Sequence, residues 1–265
     1  MKIRSAFWGT LFIIAGGLLL LGNLGILNVN VWKLVWPSFI IAMGVWTLIA
    51  ATQGPEALET EELSLPLEGA ASAKLTVAFG AGQFHINGNA SPSELLSGSF
   101  VGGVEEKVRQ DGSFTKVKLQ PRSDDFVHVI MPWSWGARNW QFGLNKNVDW
   151  QLSLEMGASD AQVDLTDVKV TDLKVETGAS NTNITLPANA GVTHVDLDGG
   201  AASVRFTVPE GVAARIQVDS GLSSIDIDRE RFPRVGNYYK SDDYETAANK
   251  VDINADFGAG SLSIR

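Results

Sequence analysis

Six times along the chain the same alternation recurs: apolar residues at every second position, a glycine followed by a small residue, then apolar residues at every second position again. The glycines are Gly80, Gly157, Gly178, Gly200, Gly221 and Gly258. Five positions before them stand Leu75, Leu152, Leu173, Val195, Ile216 and Ile253, and six positions after them Ile86, Val163, Ile184, Phe206, Ile227 and Ile264. A period of two marks strands with one face buried. A phrase repeated at fixed spacing marks stacked units.

The central four glycines are 21, 22 and 21 residues apart. That interval suits one turn of a coil in which equivalent positions lie above one another, so the expected fold is all-β, a single-stranded β-solenoid spanning 66–265. The columns agree. Val77, Leu154, Val175, Leu197, Val218 and Ala255 precede the glycines by three and would point inward, as would Phe84, Ala161, Thr182, Val204, Ile225 and Leu262 four positions after them. Glycine at each corner would supply a positive φ or a close backbone approach. The followers are alanines except Leu222. The competing architecture is an antiparallel sandwich with a hairpin at each glycine, but a sandwich has no need of equal intervals. Two longer gaps, 77 residues after Gly80 and 37 after Gly221, place insertions near 122–150 and 229–250.

The first 51 residues differ in kind. They contain no acidic residue and two apolar runs, Phe7 to Leu27 and Val31 to Ala51. Each run reaches the roughly 20 residues that a helix needs to cross a bilayer. Residues 1–51 are therefore expected to form a two-helix transmembrane hairpin turning at Asn28, Val29 and Asn30, with the lipid bilayer as its partner. A cleaved signal peptide is the rival for the first run, but no clean cleavage site follows and a second long run does. Two spans return the chain to its starting side. Lys2 and Arg4, against Lys33 alone in the loop, assign that side to the cytoplasm. The absence of cysteine agrees with a reducing compartment. Residues 52–65, with Pro55 and Glu56, Glu59, Glu61 and Glu62, read as an acidic linker.

Charge narrows the choice of partners. The net charge is −9, and the hairpin is purely basic, leaving 18 basic against 30 acidic residues beyond it. Such a surface repels phosphate backbones, so nucleic acid is excluded. Nothing in the sequence assembles a catalytic centre, a metal site or a cofactor site: cysteine is absent, and His85, His128 and His194 are scattered without metal-ligand spacing. Gly80-Ala81-Gly82 lacks the third glycine of a dinucleotide loop and is explained as a corner. A carbohydrate-active β-helix enzyme, the alternative with catalytic activity, would require an outside location and a cleft of carboxylates.

One column invites a binding role. Glu155, Glu176, Asp198, Asp219 and Asp256 stand two residues before their glycines. Stacked layers would bring neighbouring carboxylates to about 4.8 Å, where like charges oppose the fold. Either they form a solvated edge that resists further strand pairing, or they take up a divalent cation or a basic partner segment. The second candidate surface is Met131 to Trp150, whose Trp133, Trp135 and Trp140 either plug an end of the solenoid or form a docking knob. Homo-oligomerisation through end layers, giving a structural scaffold, is a further possibility.

The segment FWGTLFIIAGGLLLLGNLGILNVNVWKLVWPSFIIAMGV resembles the membrane region of LiaF-like proteins, the cell-wall-active antibiotic response group. LKVETGASNTNITLP and NKVDINADFGAGSLSIR resemble the toast-rack type C-terminal domain found with it. This resemblance implies a membrane-anchored, non-enzymatic accessory of bacterial envelope-stress signalling, with a membrane sensor kinase as its partner.

Overall fold

The repeated phrases fold as long strands, bent at their glycines and laid parallel in register. The computed structural model describes residues 58–122 and 138–265, together with 36, 37, 39–41, 44 and 45, which are helical. Two units separate, 1–56 and 57–265. The expected hairpin lies for the most part outside the described residues. Among the described residues no helix is long and apolar enough to cross a membrane.

In chain order the strands of the second unit begin with β1 (Thr60–Pro66), β2 (Ser72–Asn87), β3 (Glu94–Val101), β4 (Glu105–Asp111), β5 (Phe114–Gln120) and β6 (Asn139–Leu144). They continue with β7 (Asp149–Asp164), β8 (Val170–Thr177), β9 (Asn181–Thr185), β10 (Val192–Thr207) and β11 (Ala213–Ile227). The last are β12 (Arg234–Val235), β13 (Tyr238–Lys240) and β14 (Lys250–Ile264). All belong to one sheet. β2, β7, β10, β11 and β14 each form a whole layer, and β8 with β9 forms another.

The pairing is parallel throughout these layers, so the sandwich alternative is excluded. One buried row runs Leu75, Leu152, Leu173, Val195, Ile253, Ile216. Leu173, Val195 and Ile216 thus occupy a single column, but the layers do not follow sequence order. β14 enters between β10 and β11. Residues 228–249 make this possible by carrying the chain out past β11 and back to its inner side.

A further layer was not legible in the glycine repeat. β5 pairs in parallel with the first arm of β2, and β6 with the second. Val117 and Leu119 extend the inward rows of Leu75 and Val77, while Trp140 and Phe142 extend those of Phe84 and Ile86. No repeat glycine stands between β5 and β6, and part of the expected 122–150 insertion, Asn139–Leu144, belongs to the sheet. Antiparallel β4 covers β5, β3 covers β6, and β1 covers β3. The last six residues of the expected acidic linker, 60–65, are therefore part of β1, whose Leu63 and Leu65 pack against the core.

At this end the core is aromatic. Trp140 lies 5.1 Å from Phe79 and 5.3 Å from Phe100, and Phe142 lies 5.6 Å from Phe100 and 5.7 Å from Phe84. Offset and edge contacts at these separations favour aromatic pairs beyond the area they bury.

Candidate binding groove

The bend of each long strand leaves a concave corner, and what fills it depends on the side chains at and before the glycine. At every corner but that of Gly80, where a Cβ would meet nothing within 4 Å, glycine is called for by close approach. A Cβ on Gly157 would fall 2.3 Å from the Gly80 carbonyl oxygen, on Gly178 3.1 Å from that of Gly157, and on Gly200 3.0 Å from that of Gly178. Gly258 meets Gly200 at 3.0 Å, and Gly221 meets Gly258 at 2.9 Å. None of these glycines has a positive φ, so of the two expected reasons only close approach holds. The corners stack backbone on backbone, with Ala179 N–H donating to Gly157 O at 2.9 Å and Ala201 N–H to Gly178 O at 2.8 Å.

The result is a groove of about 720 Å³ floored by Gly80, Gly157, Gly178 and Gly200. Phe79, Met156 and Thr177 underlie it, and Glu155, Glu176 and Asp198 form its wall. These carboxylates belong to one ladder, Ala78–Glu155–Glu176–Asp198–Asp256–Asp219, in which every neighbour is a register partner. Four of the sequence-predicted residues, Glu155, Glu176, Asp198 and Asp219, therefore share a column. Asp256 separates the last two.

Two cations near the ladder were not anticipated. Lys174, two residues before Glu176 on the same outward face, is ion-paired with it. Its ammonium is held above the usual lysine range by that hydrogen bond and charge, helped by Glu155 and Asp198. Arg122 lines one end of the groove but is engaged by Glu61 at 3.0 Å. The signal for Lys174 was its alternation with Glu176; Arg122 offered none, because its partner lies 61 residues away. Among the described residues no group of three or more histidine or carboxylate side chains is arranged to hold a metal ion.

The tryptophans separate from this site. Trp133 and Trp135 lie outside the described residues. Trp140, expected from sequence either to plug an end of the solenoid or to form part of a docking knob, is completely buried, as the first of these requires. Its indole N–H finds no acceptor among the described residues, whereas Trp150 donates to Asn145 O at 2.8 Å. The docking alternative for Trp140 gives way because the unrecognised β6 layer turns it inward opposite Phe84.

Comparison with known proteins bears on both units. A family model described as the N-terminal domain of toast_rack, DUF2154, matches residues 53–207, more than half of the chain. The chain belongs to this family. A second model, the LiaI-LiaF-like transmembrane region, matches residues 6–48 and associates the chain with the membrane. Among solved structures, a candidate cell adhesion protein from Clostridium sporogenes ATCC 15579 is similar, with 20% identity and a TM-score of 0.71 over 78% of this chain and 98% of its own. That likeness shows the toast-rack fold. A candidate adhesin from Bacteroides fragilis NCTC 9343 aligns over 78% of this chain and 97% of its own, at 5% identity and a TM-score of 0.29. Comparison with curated proteins gives no match.

Proposed function

We propose that this toast-rack protein is a non-enzymatic, membrane-anchored binding protein of bacterial envelope-stress signalling. Its groove takes an extended, cationic segment of a partner such as a membrane sensor kinase. The observation that carries this reading is the in-register ladder beside a floor of glycines. Side chains that repel one another are lined up where backbone, and not bulk, forms the base. The steps of about 4.8 Å between carboxylates and about 6.6 Å between alternate residues of an extended peptide allow two or three lysines or arginines to be neutralised together. An array of monodentate carboxylates on one wall suits such a segment better than a single ion, which requires oxygens converging from several directions.

The match of residues 6–48 to a LiaI-LiaF-like transmembrane region supports the anchor. Two spans, with the β unit on the cytoplasmic side, is the arrangement that Lys2 and Arg4 favour. A reporter fused after Arg265 and active only outside the cell would refute that sidedness.

The binding test uses the full chain in detergent micelles and a fluorescent peptide of alternating lysine and alanine, followed by anisotropy. Partly exposed ion pairs contribute about 0.2–1 kcal/mol each. The triple variant Glu155→Gln, Glu176→Gln, Asp198→Asn should therefore bind about tenfold more weakly, and added salt should erase the difference. Equal affinity of the two proteins, or no binding by either, refutes the groove as the site.

A further inference from the structure

A sheet built from layers ends in edges, and the treatment of each edge shows whether it is meant to stay alone. Among the described residues four strand edges lack a partner. β1 carries Glu61 and Glu62 and ends in Pro66. β4, with the sequence EEKVRQD, is charged along most of its length. β12 is two residues long and follows Pro233. These are the devices by which sheets discourage pairing.

The fourth edge has the least of this protection, a single carboxylate, Asp226. β13 pairs with β11 only at Arg215 and Ile216, so the arm beyond the corner has β14 on one side and, among the described residues, no strand on the other. The sequence of this arm, GLSSIDI, contains no lysine, arginine or proline. Leu222 occupies the position held by alanine in every other repeat, and it is 90% exposed. Ile225 is only half-buried, while Val204 and Leu262 in the same column are completely covered. Ser223 Oγ is buried and has no hydrogen-bond partner among the described residues.

We infer that this arm of β11 pairs antiparallel with the same arm of a second copy, closing a two-fold dimer. The other three edges are guarded, so this edge can meet only its own counterpart. Such a contact uses the same patch on both molecules and is complete at two. A register centred on Ser224 keeps inward residues facing inward, with Ser223 opposite Ile225 and Gly221 opposite Ile227. No carboxylate faces another: Asp226 falls opposite Leu222, and Asp219 lies toward Arg229 of the second copy. The pairing extends the hydrogen-bond ladder and covers the open side of Ile225. It also excludes the growing array expected of a scaffold, because β3 and β4 close the opposite end of the stack. The groove plays no part in it, so either reading survives failure of the other.

The test is the mass of the full chain in detergent micelles across the micromolar range, by light scattering with the detergent contribution subtracted. A dimer is expected. Leu222→Glu with Ser224→Glu places like charges opposite one another and should weaken the dimer about a hundredfold. A native monomer, a larger assembly, or a dimer that survives both substitutions in a folded protein overturns the proposal. The chain has no cysteine, so Ser224→Cys leaves the edge intact and introduces one thiol. That variant should be captured as a disulfide-linked dimer on mild oxidation, and its persistence as a monomer overturns the proposal without any disruptive substitution.

Discussion

The glycine column yields a prediction in which chemically identical substitutions have opposite signs. At Gly157 the Cβ of an alanine would lie 2.3 Å from the Gly80 carbonyl oxygen, a backbone atom that cannot rotate away. The two layers must part locally by about 0.7 Å, enough to forfeit a quarter to a half of each affected contact. Lost ladder hydrogen bonds at about 0.5–1.5 kcal/mol each, plus about 1–3 kcal/mol for the overpacked contact, put Gly157→Ala at roughly 2–4 kcal/mol. For a unit of this size that is a fall in Tm of about 5–15 °C. Gly80 holds the same place in the phrase, but a Cβ there meets nothing within 4 Å, and its φ is ordinary. Gly80→Ala then acts chiefly on the unfolded chain, stabilising by about 0.4–1 kcal/mol, or about 1–3 °C. Gly178→Ala, with its contact at 3.1 Å, falls between them. Thermal unfolding followed by circular dichroism measures all three. Equal losses at Gly80 and Gly157, or no loss at Gly157, would refute the claim that stacking distance dictates glycine.

Three other outcomes are expected. Trp140→Ala should cost about 3–5 kcal/mol by cavity formation, and Trp140→Phe clearly less because it removes an N–H without an acceptor; intact stability of the alanine variant would return Trp140 to a binding role. Tyr244 is buried and donates to Asp252 at 2.6 Å, and desolvation followed by that hydrogen bond and charge raises its pKa, so its stabilising effect is full below about pH 10 and is lost as pH rises further. Melting against pH should therefore show a shallower alkaline decline in Tyr244→Phe, and parallel curves would remove this assignment. Asp256→Asn, which sits between Asp198 and Asp219, should raise Tm by about 1–3 °C at low salt and by less at high salt; a fall at low salt would mean that the ladder is not under repulsion.

The sequence exposed those parts of the fold that repeat. Leu75, Leu152, Leu173 and Val195 could be aligned because each layer sets the same demand at the same place, and the acidic ladder was legible for the same reason. Arg122 was not, since its partner Glu61 lies 61 residues away in the chain and is met only through the fold, and Lys174 was passed over although its alternation with Glu176 was there to read. The β5–β6 layer was hidden because no glycine of the repeated phrase stands between its two arms. Without a glycine to mark the bend, nothing in the pattern joined Phe114–Gln120 to Asn139–Leu144, and Trp140 read as part of an insertion.

The position of β14 explains a different kind of blindness. A column records what a place in the stack demands, not when the chain arrives there. Ile253, Asp256 and Gly258 meet every demand of the layer between β10 and β11: an apolar residue in the Val195 row, a carboxylate beside Asp198, and a glycine because the Gly200 oxygen lies 3.0 Å from any Cβ. They would satisfy an outermost layer equally well, so the pattern alone cannot order the last two. What decides it is the excursion 228–249. Tyr244 rests under Arg215 and Lys250, with Asp252 accepting from both Tyr244 and Arg215, which pins the returning chain to the inner side of β11. The same excursion supplies β13, which covers the first arm of β11 and stops there. The bare second arm is thus a consequence of how the last layer was inserted: it leaves β11, the repeat whose corner follower is leucine instead of alanine, as the outer face of the stack.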